Sequence, residues 1–307
     1  MGESDKTTIT RRLARFLKGP AGRETTPTEP IRKGVVEVLH RATSQSWKTF
    51  IVGGAIRDLL LGPPDSWPRD VDLIVDGPSP KELESAFSDL LIRRNSFGGL
   101  RLQRSVNLKG ISDAKYDLLF DVWCLQDSWG IKAQGLAPTI LNFLKTPFLN
   151  IDSIAVALTS RSKLIVHEHG FFDAVATKTL EVNNEPNPFP FTCAIRSLLL
   201  AAKLDFELGP RLASFIYSLT TAAPVSKLVD AQISHYGQIR CSEDDIKGWL
   251  SKLRAQLEGG AKKVRFLNNP QYQTHLWRDW PPHTEPGRDE KIDNATQWKP
   301  VEKLRLA

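Results

Sequence analysis

Two short stretches constrain this chain more than anything else in it: "KTFIVGGAIRDLLLG" (Lys48–Gly62) and "RDVDLIVDG" (Arg69–Gly77). The apolar run Phe50–Val52 predicts a strand that enters the pair Gly53–Gly54. "AIRDLLL" then predicts a helix closed by Gly62. A strand that turns into a helix through glycines lets the backbone approach a ligand and aims the first helical N–H groups at an anion. Arg57, one turn in, is a forked cationic donor suited to phosphate. The second stretch predicts another strand, ended by an Asp-Gly turn. Asp70 and Asp72 stand at i and i+2, on one face and about 6.5–7 Å apart. Such carboxylates repel unless a cation lies between them, and hard divalent ions such as Mg²⁺ suit their oxygens. Two ions about 3.5–4 Å apart activate an attacking hydroxyl and stabilise a leaving pyrophosphate. Alone, each half also fits a plain turn or a half-exposed strand; together they point to chemistry.

The rest of the chain sets the frame. "IRKGVVEVLHRATSQ" has helical apolar spacing, and "SPKELESAFSDLL" predicts a helix with Ser79 as N-cap. "GLRLQRSVNL", "KYDLLFDVWCL" and "KLIVHEH" predict strands, while "FTCAIRSLLLAAKLDFEL" predicts a long helix. Beyond Leu208 the pattern is helical. The expected organisation is a flexible tail over 1–30, a mixed α and β unit over 31–182, helices over 183–260, and an irregular basic tail over 261–307. The net charge of +6 leans toward a polyanionic partner without requiring one. Three scattered cysteines, Cys124, Cys193 and Cys241, lack zinc spacing and fit a reducing, cytoplasmic setting. No apolar run reaches membrane-spanning length, so no membrane partner is expected. No His-x-x-x-His pair or Gly-x-Ser-x-Gly elbow offers another chemistry.

"VGGAIRDLLLG" followed by "RDVDLIV" resembles the head signature of the class II (bacterial-type) tRNA nucleotidyltransferases and poly(A) polymerases. These belong to the DNA polymerase beta-like nucleotidyltransferase superfamily. "FGGLRLQ" and "LLFDVWCL" resemble the next head strands, "HGFFDAVATKTLEVNN" the segment after the head, and "AIRSLLLAAKLDFEL" the neck helix. The resemblance spans about Phe50–Leu208. It implies an α+β fold, with a mixed-sheet nucleotidyltransferase head followed by an all-helical neck and body. It also implies transfer of a nucleoside monophosphate from an NTP to an acceptor hydroxyl, foremost the 3′ end of tRNA or another RNA. Asp70 and Asp72 would hold two Mg²⁺ ions, and Gly53, Gly54 and Arg57 would cradle the phosphates. Asp58 would hold the turn or Arg57 within that nucleotide-binding segment. Asp121 is the candidate third catalytic carboxylate, with Asp117 on the same strand as the alternative.

The chain also departs from that pattern. The family's Arg-Arg-Asp and Thr-Ile-Asn run, which handles the ribose, falls on "LNIDSIAVAL". With Ser153–Ile154 in the Thr-Ile place, Asn150 and Ile151 occupy the Arg and Asp places, and Asp152 is the candidate substitute one position away. The neck's Glu-Asp-x-x-Arg-x-x-Arg falls on "PNPFPFTCAIR", where Asn187, Pro190 and Cys193 replace Asp, Arg and Arg. Arg196 survives one turn on, as a nucleotide-binding candidate. The phosphate and metal half of the site is therefore expected to be intact and the base-reading half eroded. A standard CCA-adding or poly(A)-adding enzyme and a catalytically inactive RNA-binding relative are the alternatives. The basic patch Gly259–Phe266 and Trp277, Trp280 and Trp298 are candidates for RNA contact or for plain tail packing.

Overall fold

The computed structural model describes residues 2–18, 29–62, 70–107, 115–158 and 164–265. Trp277, Trp280, Trp298 and Phe266 lie outside the described residues.

Helices α1 (Gly2–Lys18) and α2 (Glu29–Ser44) precede strand β1 (Lys48–Val52), which runs through Gly53 into α3 (Gly54–Leu61). Strand β2 (Asp70–Asp76) follows, then α4 (Pro80–Ala86), β3 (Leu91–Arg94), β4 (Leu100–Asn107) and β5 (Lys115–Cys124). Short helices α5 (Trp129–Ala133) and α6 (Ile140–Phe143) lead to a 3₁₀ turn at Asn150–Asp152 and to β6 (Ile154–Leu158) and β7 (Leu164–Glu168). Helix α7 (Phe171–Thr177) and β8 (Thr179–Leu180) close this half. The neck helix α8 (Pro190–Leu204) follows, with β9 (Glu207–Leu208), α9 (Pro210–Ala222), α10 (Ser226–Tyr236) and α11 (Glu243–Glu258).

Seven strands form one mixed sheet in the order β3-β4-β5-β2-β1-β6-β7. Every pairing in it is antiparallel except β2 with β5. Strand β2 is central because both neighbours can cover it: Val71, Leu73, Ile74 and Val75 are all buried. The expected α+β architecture, a mixed-sheet head followed by helices, is what the chain adopts.

Local signals explain the elements. Ser79 caps α4 in a reciprocal box with Glu82, as its sequence predicts. The same device starts α11, with Ser242 and Asp245. Pro190 occupies the first turn of α8, where its missing N–H costs nothing. Helix α4 ends at Ala86, earlier than the apolar spacing suggests. Gly62 closes α3 through its N–H to Asp58 O, in extended rather than left-handed backbone.

Residues 2–18 correct part of one expectation, the flexible tail over 1–30. Gly2–Lys18 is a helix docked on α3 and β7, not a flexible tail. Ile9 and Leu13 are fully buried in the main core. Arg12 donates to Leu59 O and Leu60 O, both at 2.9 Å, and so caps the C-terminal end of α3. A polar-looking sequence hid this helix, because its apolar side is only the narrow stripe Ile9, Leu13, Phe16 and Leu17. Among the described residues no single helix is long and apolar enough to cross a membrane. The pair α9 and α10 passes that test only together, across a 113° bend.

Candidate active site

The site grows from one row across the sheet. Arg101 on β4 faces Asp121 on β5, Asp121 faces Asp72 on β2, and Asp72 faces Val52 at the end of β1. Residues in register share a face, so Arg101, Asp121 and Asp72 project to the same side. Asp70 joins them by strand alternation, since Asp70 and Asp72 are half-exposed and Val71 between them is buried.

Gly53 follows Val52 directly. Its φ of 64° lies in the left-handed region that favours glycine, and a Cβ built there would point at the Asp72 Oδ2 and the Asp152 carbonyl. No side chain caps the start of α3. The Gly53 N–H itself is bonded to Ile154 O at 2.9 Å, so the turn is anchored to β6.

The acids are unequally compensated. Arg101 donates Nε–H to Asp121 Oδ1 at 2.7 Å and an Nη2–H to Asp121 Oδ2 at 2.6 Å. The Asn95 amide adds a bond to Oδ1 at 3.1 Å. Burial pushes Asp121 upward, but the paired guanidinium keeps its charge covered. Among the described residues Asp72 has no such partner. Burial, then the charges of Asp121 and Asp70, push its carboxyl up to about 8, with only partial relief from Arg101 and Arg196.

That surplus negative charge is what a divalent cation would relieve, and carboxylate oxygens are the donors Mg²⁺ takes. Among the described residues no group of three or more His, Cys, Asp or Glu is arranged to hold a metal. Asp121 is taken up by Arg101, so the donor set is the pair Asp70 and Asp72. Mg²⁺ commonly uses one or two carboxylates and completes its shell with water and phosphate oxygens, so these residues fit it. Asp117, the alternative third acid, accepts a hydrogen bond from Ser105 near the far end of β5.

Arg57 is placed differently from expectation. Its side chain is 8% exposed, bonded to Asp58 Oδ1 at 2.8 Å and to Asp152. A Cβ on Gly54 would sit 3.2 Å from Arg57 Nη2, so the second glycine makes room for this guanidinium. Arg57 therefore knits the turn together from beneath. Asp58 holds Arg57, as its sequence context suggests, and also accepts from Lys203 Nζ at 3.1 Å. Burial opposes the charge on Asp58, but Arg57 and Lys203 hold its carboxyl below the ordinary range.

Asp152 is the meeting point. It takes bonds from Arg57 and, at 3.4 Å, from Arg196 Nη2 on the neck helix. The neighbouring Asn150 and Ile151 serve the scaffold: Asn150 bonds Thr179 O and Glu181 N–H, and Ile151 is fully buried.

A cavity of about 260 Å³ lies over these groups. Gly53, Gly54, Asp72, Asp152, Arg196 and Asn187 all line it. Of the residues singled out in the sequence, Gly53, Gly54, Asp72, Asp152, Asn187, Cys193 and Arg196 thus share one space, whereas Asp70, Asp121, Arg57 and Asp58 are not among its lining. Sequence reasoning missed Arg101, Asn95 and Lys203. Lys203 carried a readable signal, standing seven residues from Arg196 and so on the same side of a helix. Arg101 carried none without the strand register.

With this geometry in place, residues 49–113 match the family model described as Poly A polymerase head domain. That match, over about a fifth of the chain, is in keeping with the resemblance to class II tRNA nucleotidyltransferases and poly(A) polymerases. No curated protein matches the sequence. Among solved structures, the complex of a CCA-adding enzyme with CTP is similar in fold, with a TM-score of 0.51 at 16% identity. That match covers 81% of this chain and 55% of the other. A tRNA nucleotidyltransferase complexed with a primer tRNA and an incoming ATP analogue gives a TM-score of 0.45 at 21% identity, over 77% of this chain and 65% of that one. The chain therefore spans only part of the length of the enzymes it matches.

Proposed function

We propose that this protein is a metal-dependent nucleotidyltransferase that moves a nucleoside monophosphate from an NTP to an acceptor hydroxyl, foremost the 3′ end of tRNA or another RNA. The observation that carries the reading is the shared cavity: Asp72 beside the Gly53–Gly54 turn, with Asp152 and Arg196 facing the same space. Bound at Asp70 and Asp72, Mg²⁺ would supply the charge that activates a hydroxyl and steadies a leaving pyrophosphate. The uncapped start of α3 offers N–H groups to the triphosphate, and Arg57 keeps that start in position through Asp58 and Asp152. Arg196 adds positive charge on the cavity wall. Asn187 and Cys193 stand where the resemblance places an Asp and an Arg, so the charged pair expected to read base edges is missing, which supports altered nucleotide choice.

The test is to incubate the full chain with Mg²⁺, each radiolabelled NTP separately, and total RNA. Label entering RNA from one or more NTPs is the expected result. Label restricted to CTP and ATP on tRNA ends would instead favour a standard CCA-adding enzyme. One observation favours a second reading, a non-catalytic RNA binder: Arg101 occupies both oxygens of the third acid. RNA retention with no label from any NTP would select it.

A further inference from the structure

The cavity is lined by polar groups, among them Asp72, Asp152 and Arg196, and by the rings of Phe97, Trp123, Trp129, Phe143 and Phe148. Trp123 and Phe143 back onto a small apolar cluster, and Phe148 onto the main core. Phe97 and Trp129 belong to neither cluster, although both are half-buried. They meet edge to face, with ring centroids 5.6 Å apart, and Phe97 meets Phe189 in the same way at 5.4 Å. Rings that pack on one another outside the two core clusters of the described residues present faces that a flat ligand would cover.

Several of the polar groups that line the cavity are already engaged. The Ser128 hydroxyl donates to Leu125 O at 3.1 Å, and the Thr146 hydroxyl to Phe143 O at 2.8 Å. Asn187 Oδ1 accepts from the Phe189 N–H at 2.9 Å, which leaves its amide NH2 and Arg196 as donors on the cavity wall. A base entering here meets mostly ring faces.

Resting on the nucleotidyltransferase reading above, we infer that the base of the incoming nucleotide is held by stacking in this aromatic box, so that purine nucleoside triphosphates are taken over pyrimidine ones with little distinction between the purines. Stacking tolerates any base because each has a π-face, and the fused purine ring covers more aromatic surface than a pyrimidine. Trp129 and Phe97 are the specificity-determining residues.

The experiment is calorimetric titration of the full chain in Mg²⁺ with inorganic triphosphate and with β,γ-methylene analogues of ATP, GTP, CTP and UTP. The ATP and GTP analogues should bind within about threefold of each other and about tenfold tighter than the CTP and UTP analogues. Trp129→Ala should erase that gap, Trp129→Phe should keep most of it, and both should bind triphosphate as the unaltered chain does. Phe97→Leu serves as a second probe should a melting curve show Trp129→Ala unfolded. Equal binding of purines and pyrimidines by the unaltered chain overturns the inference. So does a gap above about 30-fold between the two purines, which edge reading would produce, or an undiminished purine gap in a folded Trp129→Ala chain. Failure of inorganic triphosphate to bind would remove the nucleotidyltransferase reading as well, whereas triphosphate binding without a purine gap removes only the stacking.

Discussion

Arg101 reaches from the neighbouring strand to Asp121 and closes both of its oxygens, at 2.7 and 2.6 Å, while Asp72 on the other side of Asp121 receives no such partner among the described residues. One arginine thus divides two adjacent acids into a compensated member and an uncompensated one.

Asp72→Asn should therefore abolish nucleotide transfer and yet leave the protein at least as stable as before in the absence of metal. Removing like-charge repulsion raises the melting temperature by about 1–2 °C for each kcal/mol gained in a chain of this size. Added Mg²⁺ should raise the melting temperature of the unaltered protein and not that of the variant. A variant that melts well below the parent in chelator, or that still transfers nucleotide, contradicts the assignment.

Arg101→Ala leaves Asp121 buried with Asn95 alone, which should cost about 3–5 kcal/mol of unfolding free energy. Adding Asp121→Asn to that variant should restore much of the loss. Urea unfolding of the four members of the cycle measures the coupling. Near-zero coupling would show that the pair does not set the balance of charge in the row.

Gly53→Ala forces an L side chain into a φ of 64°, costing about 1–2 kcal/mol, and directs a methyl toward Asp72. Triphosphate affinity should fall while secondary structure by circular dichroism is retained. Unchanged affinity would mean that the turn lies outside the phosphate site.

Leu13→Ala should destabilise the fold by about 2–5 kcal/mol, as for any well-packed core leucine. A flexible N-terminal segment would show no change. Denaturant titration decides between these outcomes.

Much of this was readable before any coordinates. The strand, glycine turn and helix around Gly53, the acids of β2 and the N-cap at Ser79 are local patterns, set by residues within a few positions of one another. Asp58 was legible as the partner of Arg57 because the two are adjacent. Other features depend on which distant segments meet. Arg101 and Asp121 are 20 residues apart and face each other only through the β4–β5 register. Arg57 carries the residue type of a phosphate donor, yet Asp152, far along the chain, turns it inward. Helix α1 escaped notice because a stripe of four apolar residues among charged ones looks like a solvated tail until a partner surface is known.

Arg196 and Lys203 stand two turns apart along one side of α8 and take hold of Asp152 and Asp58, one acid below the cavity and one at the root of the glycine turn. A helix pinned at two points can neither roll nor slide without stripping a charged group of its partner. A displacement of α8 would therefore be felt at the glycine turn, because the same two acids tie the neck helix to the start of α3.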